Sequence, residues 1–255
     1  MRHVTLHAVF ALIVLAGVSC DATSGQPSPA APPDRLQEFR QRSPHLIAQY
    51  LRDHPIRKVQ VGAGVSRLKG WLNTDIEPGD GLAYLDATQP FPFEDGSIHY
   101  LFSEHVIEHL TYDEGKSMVA ESFRVLAPGG KMRISTPNLT RFIELFGKNP
   151  SPEARSYIHG KLGWHRWPRE PNAAAIILNL QMSSWGHKFM YDVETLSGVL
   201  TRAGFRNVQE FEEDISHDAH LRDLEGRDTG ELARWNNYES MSVEAEKPQA
   251  VTSTR

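Results

Sequence analysis

The sequence predicts an α/β fold built on a mostly parallel sheet. Two observations carry this. From Lys58 onward, short apolar runs alternate with helical stretches, the order that gives parallel strands joined by covering helices. Three successive runs also end in acidic or polar residues, at the edge where open parallel sheets bind ligands. Size and charge suit one such domain. The 255 residues are 40% apolar and 23% charged, with 27 Lys and Arg against 32 Asp and Glu, giving a formal charge of −5. That length supports one core and leaves little for a second. The acidity argues against nonspecific nucleic-acid binding, which needs a basic field. The single cysteine excludes an internal disulfide framework and any cysteine-based zinc or iron–sulfur site.

Residues 1–20 read as an export signal. Arg2 supplies a positive start, Ala8–Ala16 is uninterrupted apolar sequence, and Gly17-Val18-Ser19 are small residues before Cys20. That cysteine resembles the lipid-attachment cysteine of bacterial lipoproteins, although Gly17 stands where a large aliphatic is usual. Membrane anchoring through Cys20 is the expectation if the signal works. No apolar run approaches the roughly 20 residues of a spanning helix. Residues 21–34, rich in Pro, Ser, Ala and Gly, read as a flexible linker, and 249–255 as a disordered tail.

The folded part is expected over 35–248. Leu36, Phe39, Leu46, Ile47 and Leu51 are spaced as on helical faces, in two short helices broken near Ser43-Pro44, lying over one edge of the domain. Strands are expected at Lys58–Val61, Trp71–Ile76, Ala83–Asp86, Ile98–Phe102, Lys131–Thr136, Val208–Glu212 and Ser240–Ala245. Helices are expected at Asp113–Leu126, Asn138–Phe146 and Asp192–Ala203, the last stopped by Gly204. The pattern lapses over 149–187. This insertion holds Trp164, Trp167 and Trp185 with His159, His165 and His187.

The chemistry concentrates at the strand ends. The first strand runs into Val61-Gly62-Ala63-Gly64, where two glycines let backbone approach a ligand without a Cβ in the way. Arg67 stands where a dinucleotide fingerprint needs its third glycine, which counts against a nicotinamide or flavin site. The second strand ends at Asp75, the place from which an acid binds ribose hydroxyls in nucleotide-binding sheets. Only about nine residues separate these strands, too few for the usual crossover helix. The third strand ends at Asp86, and the fourth runs into Ser103-Glu104-His105-Val106-Ile107-Glu108-His109-Leu110.

Together these residues resemble class I S-adenosylmethionine-dependent methyltransferases, in the methyltransferase type 11 branch. The resemblance rests on the ordered set Val61–Gly64, Trp71–Ile76, Asp86, Pro92–Ser97, Glu104–Leu110 and Arg124–Gly130. Gly186–Asp192 and Ala203–Phe205 extend it. It implies a Rossmann-like seven-stranded sheet, mostly parallel, with helices on both faces and the last strand antiparallel. It also implies S-adenosylmethionine as cofactor and a small-molecule methyl acceptor. Gly62, Ala63 and Gly64 would approach the cofactor, Asp75 would bind the ribose, and Ile76 would pack on adenine. Asp86 and Ala87 would contact the adenine edge, and Glu104 would lie near the methionine end. Many relatives carry a further glycine at the position of Ser66.

His105 and His109 are the nearest candidates for a general base, if the acceptor must lose a proton, and His187 is a third. The insertion is expected on the acceptor side, where Trp164, His165, Trp167 and Trp185 could stack a planar or sugar-like substrate. Two other functions fit particular features. His105-x-x-Glu108-His109 matches the H-x-x-E-H pattern of a family of zinc peptidases. The departure at Ser66 and the export-like N-terminus fit a non-catalytic, tethered binding domain. Compartment follows from the N-terminus: a cytoplasmic protein if it is not a working signal, a membrane-anchored lipoprotein if it is.

Overall fold

The structure, a computed structural model, describes residues 34–164, 173–226 and 231–249. The expected signal over 1–20, the linker up to Pro33, His165, Trp167 and the tail beyond Gln249 lie outside the described residues. Among the described residues, no helix is long and apolar enough to cross a membrane.

Seven strands form one Rossmann-like sheet in the order β3-β2-β1-β4-β5-β7-β6. They are β1 (Lys58–Val61), β2 (Leu72–Asp75), β3 (Ala83–Tyr84), β4 (Ile98–Glu104), β5 (Leu126–Pro137), β6 (Arg206–Phe211) and β7 (Ser240–Glu246). The strands β1 to β5 pair in parallel, and β7 runs antiparallel to both β5 and β6. All seven sequence-predicted strands are present. The third is two residues shorter than expected, and the fifth begins five residues earlier and includes the Pro128-Gly129-Gly130 turn.

The helices are α1 (Arg35–Asp53), α2 (Tyr112–Val125), α3 (Leu139–Glu144), α4 (Pro152–Trp164), α5 (Ala173–Ser183), α6 (Val193–Ala203) and α7 (Glu231–Glu239). A capping box starts α2, with Thr111 accepting from the Glu114 amide and Glu114 from the Thr111 amide. Met118, Val119, Ser122 and Val125 of α2 are buried. With Val59, Val61, Leu101, Ile134, Leu196 and Val243, the apolar three of these form the main core.

Two expectations need correction. The first segment is one helix rather than two. Pro44 lies inside α1 on its exposed side, and the carbonyl it leaves without an amide partner belongs to exposed Arg40. On the other side Phe39, Ser43, Ile47 and Tyr50 are buried at helical spacing, and Ser43 Oγ accepts from the Tyr84 amide of edge strand β3 at 2.6 Å. Packing along that face outweighs the break. The second correction concerns the insertion, where the pattern lapses: its described residues include α4 and α5, which pack with α3 around Phe142, Leu145, Ala154, Tyr157 and Ile177. Buried Glu239, at the end of α7, ties these helices together. Its carboxylate meets Tyr157 Oη, Lys161 Nζ at 2.8 Å and Gln181 Nε2 at 3.0 Å.

Residues 212–226 form a strap across the β5 side of the sheet. Fully buried Arg133 on β5 holds it, donating to Glu225 Oε1 (2.6 Å), Glu244 Oε1 (2.7 Å), the Ile215 carbonyl (2.8 Å) and the Glu212 carbonyl (3.1 Å).

Candidate functional site: the carboxyl rim of the sheet

The strand order reverses between β1 and β4, which opens a crevice at their carboxyl ends. The glycine loop lies there. Gly62 and Gly64 have φ of +70° and +52°, which L side chains rarely adopt. The two differ in surroundings. A Cβ on Gly62 would sit 2.2 Å from Val106 Cγ2, so this glycine lets the loop close on the segment after β4. A Cβ on Gly64 would meet nothing within 4 Å. The space over Gly64 is open.

Asp75 is 9% exposed and binds backbone. Its Oδ2 accepts from the Gly64 amide at 2.7 Å and its Oδ1 from the Glu77 amide at 2.9 Å. The Ala63 amide donates to the Thr74 carbonyl at 2.8 Å. Ala63 and Gly64 are therefore hydrogen-bonded to Thr74 and Asp75 as one unit. Each carboxylate oxygen keeps a further lone pair. Ile76, next in the chain, is 49% exposed, an apolar side chain presented at the rim.

Asp86 belongs to a different local structure. Its Oδ1 accepts from the Thr88 amide (2.9 Å) and the Thr88 hydroxyl (2.7 Å), forming its own turn. It also lines a cavity of about 540 Å³ between α1 and the segment after β3, with Arg40, Ile47, Leu51, Arg57 and Phe93. That cavity shares only Asp86 with the residues expected to hold a cofactor. Ala87 packs against the main core.

Glu104 ends β4, in register with Ser135 of β5. It faces a residue that no local signal announces. Glu213, in the strap, has its pKa raised to about 8, by burial first and then by the charges of Glu225 and Glu104.

His105 has φ of +50°. Its ring is held at both nitrogens, Nε2 lying 3.1 Å from Ser240 Oγ and Nδ1 3.2 Å from Glu108 Oε1. Both nitrogens thus have a neighbour, Ser240 and Glu108, in a side chain that is 5% exposed. Glu108 is fully buried. Its Oε2 accepts from the Thr136 hydroxyl at 3.0 Å, while Oε1 accepts no hydrogen bond. Burial raises its pKa, but His105 and, after it, His109 bring it down to about 2.

The zinc-peptidase pattern does not form. Residues Ile107–His109 make a single 3-10 turn, and His105 precedes it in left-handed backbone, so the two histidines share no helix face. His109 instead meets His187, with ring centroids 4.9 Å apart and planes at 85°. Ligand atoms of Glu108, His109 and His187 lie within 4.8 Å of one another. The His187 ring has Nδ1 2.6 Å from the Gln181 carbonyl, and burial lowers its pKa. Trp185, 52% exposed, lies beside it with centroids 5.7 Å apart.

Part of the motif set serves structure. Arg124 Nη1 donates to the Phe93 carbonyl (2.9 Å) and Asp95 (2.8 Å), and Nη2 to the Phe91 carbonyl (3.0 Å) and Glu121 (2.7 Å). The Phe91 amide donates to Glu121 at 2.7 Å. The Pro92–Ser97 turn is thus clasped by α2, away from the glycine loop.

Residues 69–134 match the family model of a methyltransferase domain. No curated protein matches the chain. Solved structures similar to it include a SAM-dependent methyltransferase from Archaeoglobus fulgidus, 16% identical with a TM-score of 0.45, over 83% of this chain and 94% of that one. A possible histamine N-methyltransferase from Thermotoga maritima is 17% identical with a TM-score of 0.41, over 83% of this chain and 91% of the other. A possible exported protein from Bordetella parapertussis is 16% identical with a TM-score of 0.41, over 89% and 76%.

Proposed function

We propose that the protein is an S-adenosylmethionine-dependent methyltransferase acting on a small-molecule acceptor. The observation that carries this reading is the Gly62-Ala63-Gly64 loop, bonded where the strand order reverses to Asp75, which lies in the stretch 69–134 whose sequence matches a methyltransferase domain. The residues present fit the cofactor. Gly64 leaves open space beside the loop, Ile76 offers an exposed apolar surface for adenine, and the remaining Asp75 lone pairs are acceptors for ribose hydroxyls. Asp86 and Ala87 would border the adenine edge and Glu104 the methionine end.

The cofactor supplies a methyl group on a sulfonium, and transfer is an in-line displacement. The chain's part is alignment, which in model systems lowers barriers by roughly 7–11 kcal/mol. Asp75 fixes the loop, and Val106 under Gly62 sets the distance between loop and β4 rim. Of the two expected bases, His109 is the one in this reading that could take an acceptor proton; His105 orients Glu108 and Ser240.

Calorimetry with S-adenosylmethionine and S-adenosylhomocysteine tests the reading. Binding of one equivalent is expected, weakened at least tenfold in Ile76→Asp, which changes an exposed side chain and leaves the loop bonded. No binding of either compound to folded protein would overturn it and favour a tethered domain with another ligand.

A further inference from the structure

We infer that Glu108, His109 and His187 form a binding site for a divalent transition-metal ion, with Zn²⁺ as the best fit. The inference stands whether or not the cleft takes S-adenosylmethionine, and with an ion bound His109 serves as a ligand and not as a base. Two imidazoles and a carboxylate are the His₂Glu donor set that holds zinc with a fourth position open. Borderline ions such as Zn²⁺ suit imidazole, whereas Mg²⁺ and Ca²⁺ prefer all-oxygen shells. The three ligand atoms already lie within 4.8 Å of one another. A tetrahedral shell with bonds near 2.0–2.1 Å sets them ~3.3 Å apart, so side-chain adjustments close the site.

Two further features point to a ligand. The first is the His187 tautomer. Its Nδ1 lies 2.6 Å from the Gln181 carbonyl, which can only accept, so Nδ1 carries the proton and Nε2 keeps its lone pair. Metal-bound histidines are oriented in this way by a hydrogen bond from the other ring nitrogen. The second is Glu108. Its carboxylate is wholly buried and Thr136 satisfies Oε2, while the partner of Oε1 is the His105 ring, whose Nδ1 lies 3.2 Å away and out of line for a well-formed hydrogen bond. A buried carboxylate oxygen with one poorly aligned partner keeps acceptor capacity, and a cation beside it offsets part of the cost of burial.

The backbone also joins the two ligand-bearing segments. The amides of Lys188 and Phe189 both donate to the Glu108 carbonyl, at 2.7 and 3.2 Å. This fixes His187 against the Glu108-His109 turn before any ion arrives. Exposed Trp185 stands at the edge of the cluster, beside the His187 ring.

The test uses the full chain, stripped with chelator and titrated with Zn²⁺ and then Co²⁺. One equivalent of Zn²⁺ per chain by elemental analysis is expected, with a rise in Tm and the visible d–d bands of four-coordinate Co²⁺. His109→Gln and His187→Gln alter half-buried side chains, and each should weaken Zn²⁺ binding at least tenfold while keeping the Tm of the stripped wild type. Substoichiometric binding, or equal affinity in the double variant, would overturn the inference and leave Glu108 balanced by His105 alone. Metal binding without binding of S-adenosylmethionine would sink the transferase reading and spare this one.

Discussion

The two halves of the sheet use their polar residues differently. On the β1–β3 side, acids bind backbone close by in sequence: Asp75 reaches the Gly64 and Glu77 amides, and Asp86 closes a turn with Thr88. On the β5–β7 side, charged side chains are buried and bind one another across long stretches of chain. Arg133 meets Glu225 and Glu244, and Glu239 meets Lys161. A hydrogen bond to nearby backbone shapes a loop at modest cost, whereas a buried charge cluster fixes distant segments and fails badly when one member is lost. The first half leaves open space at its glycine loop, and the second is held by its own ion pairs.

The sharpest way to break this contrast is Arg133→Ala. It leaves Glu225 and Glu244 buried without their cation and frees two strap carbonyls, so a loss of about 3–5 kcal/mol in urea denaturation is expected. A loss below 1 kcal/mol would mean that the strap is not held by this cluster.

The glycines rank next, and they divide within the first half. Gly62→Ala suffers both positive φ and the clash with Val106, for a loss of about 2 kcal/mol. Gly64→Ala suffers only the backbone strain, about 1 kcal/mol, and should act mainly on ligand affinity. Thermal melts with and without nucleoside ligand separate the two effects. Equal losses would show that Val106 gives way.

Glu213 links stability to pH. Below pH 4.5 its carboxyl is protonated whether the chain is folded or not. Between 4.5 and about 8 the folded chain holds a proton that the unfolded chain releases, so the stability owed to this group falls as pH rises and is lost above about 8. Glu213→Gln should flatten that slope, raising Tm relative to wild type more at pH 9 than at pH 5. The smallest effect is expected at Thr111→Ala, which removes the α2 capping box for about 1 kcal/mol by chemical denaturation.

Legibility follows the same division. The strands β1, β2 and β4, the glycine loop and the acid at Asp75 are local patterns, and the domain match at 69–134 takes in β2, Asp75 and β4. The β5–β7 side is written in pairs far apart. Nothing near Arg133 announces Glu225, and nothing near Glu104 announces Glu213. The helix α5, Ala173–Ser183, is mostly apolar, so it lacks the alternation of faces that reveals a surface helix. Ser43-Pro44 read as a break because proline's local cost was visible and the packing of α1 on β3 was not. The H-x-x-E-H spacing presupposed a helix, and the chain makes a single tight turn there instead.

The twin amide bonds from Lys188 and Phe189 to the Glu108 carbonyl have a mechanical meaning. They join the segment that follows α5 to the tight turn after β4, so the two cannot shift apart without breaking both bonds. Hydrogen–deuterium exchange at these two amides would then report how firmly that joint holds.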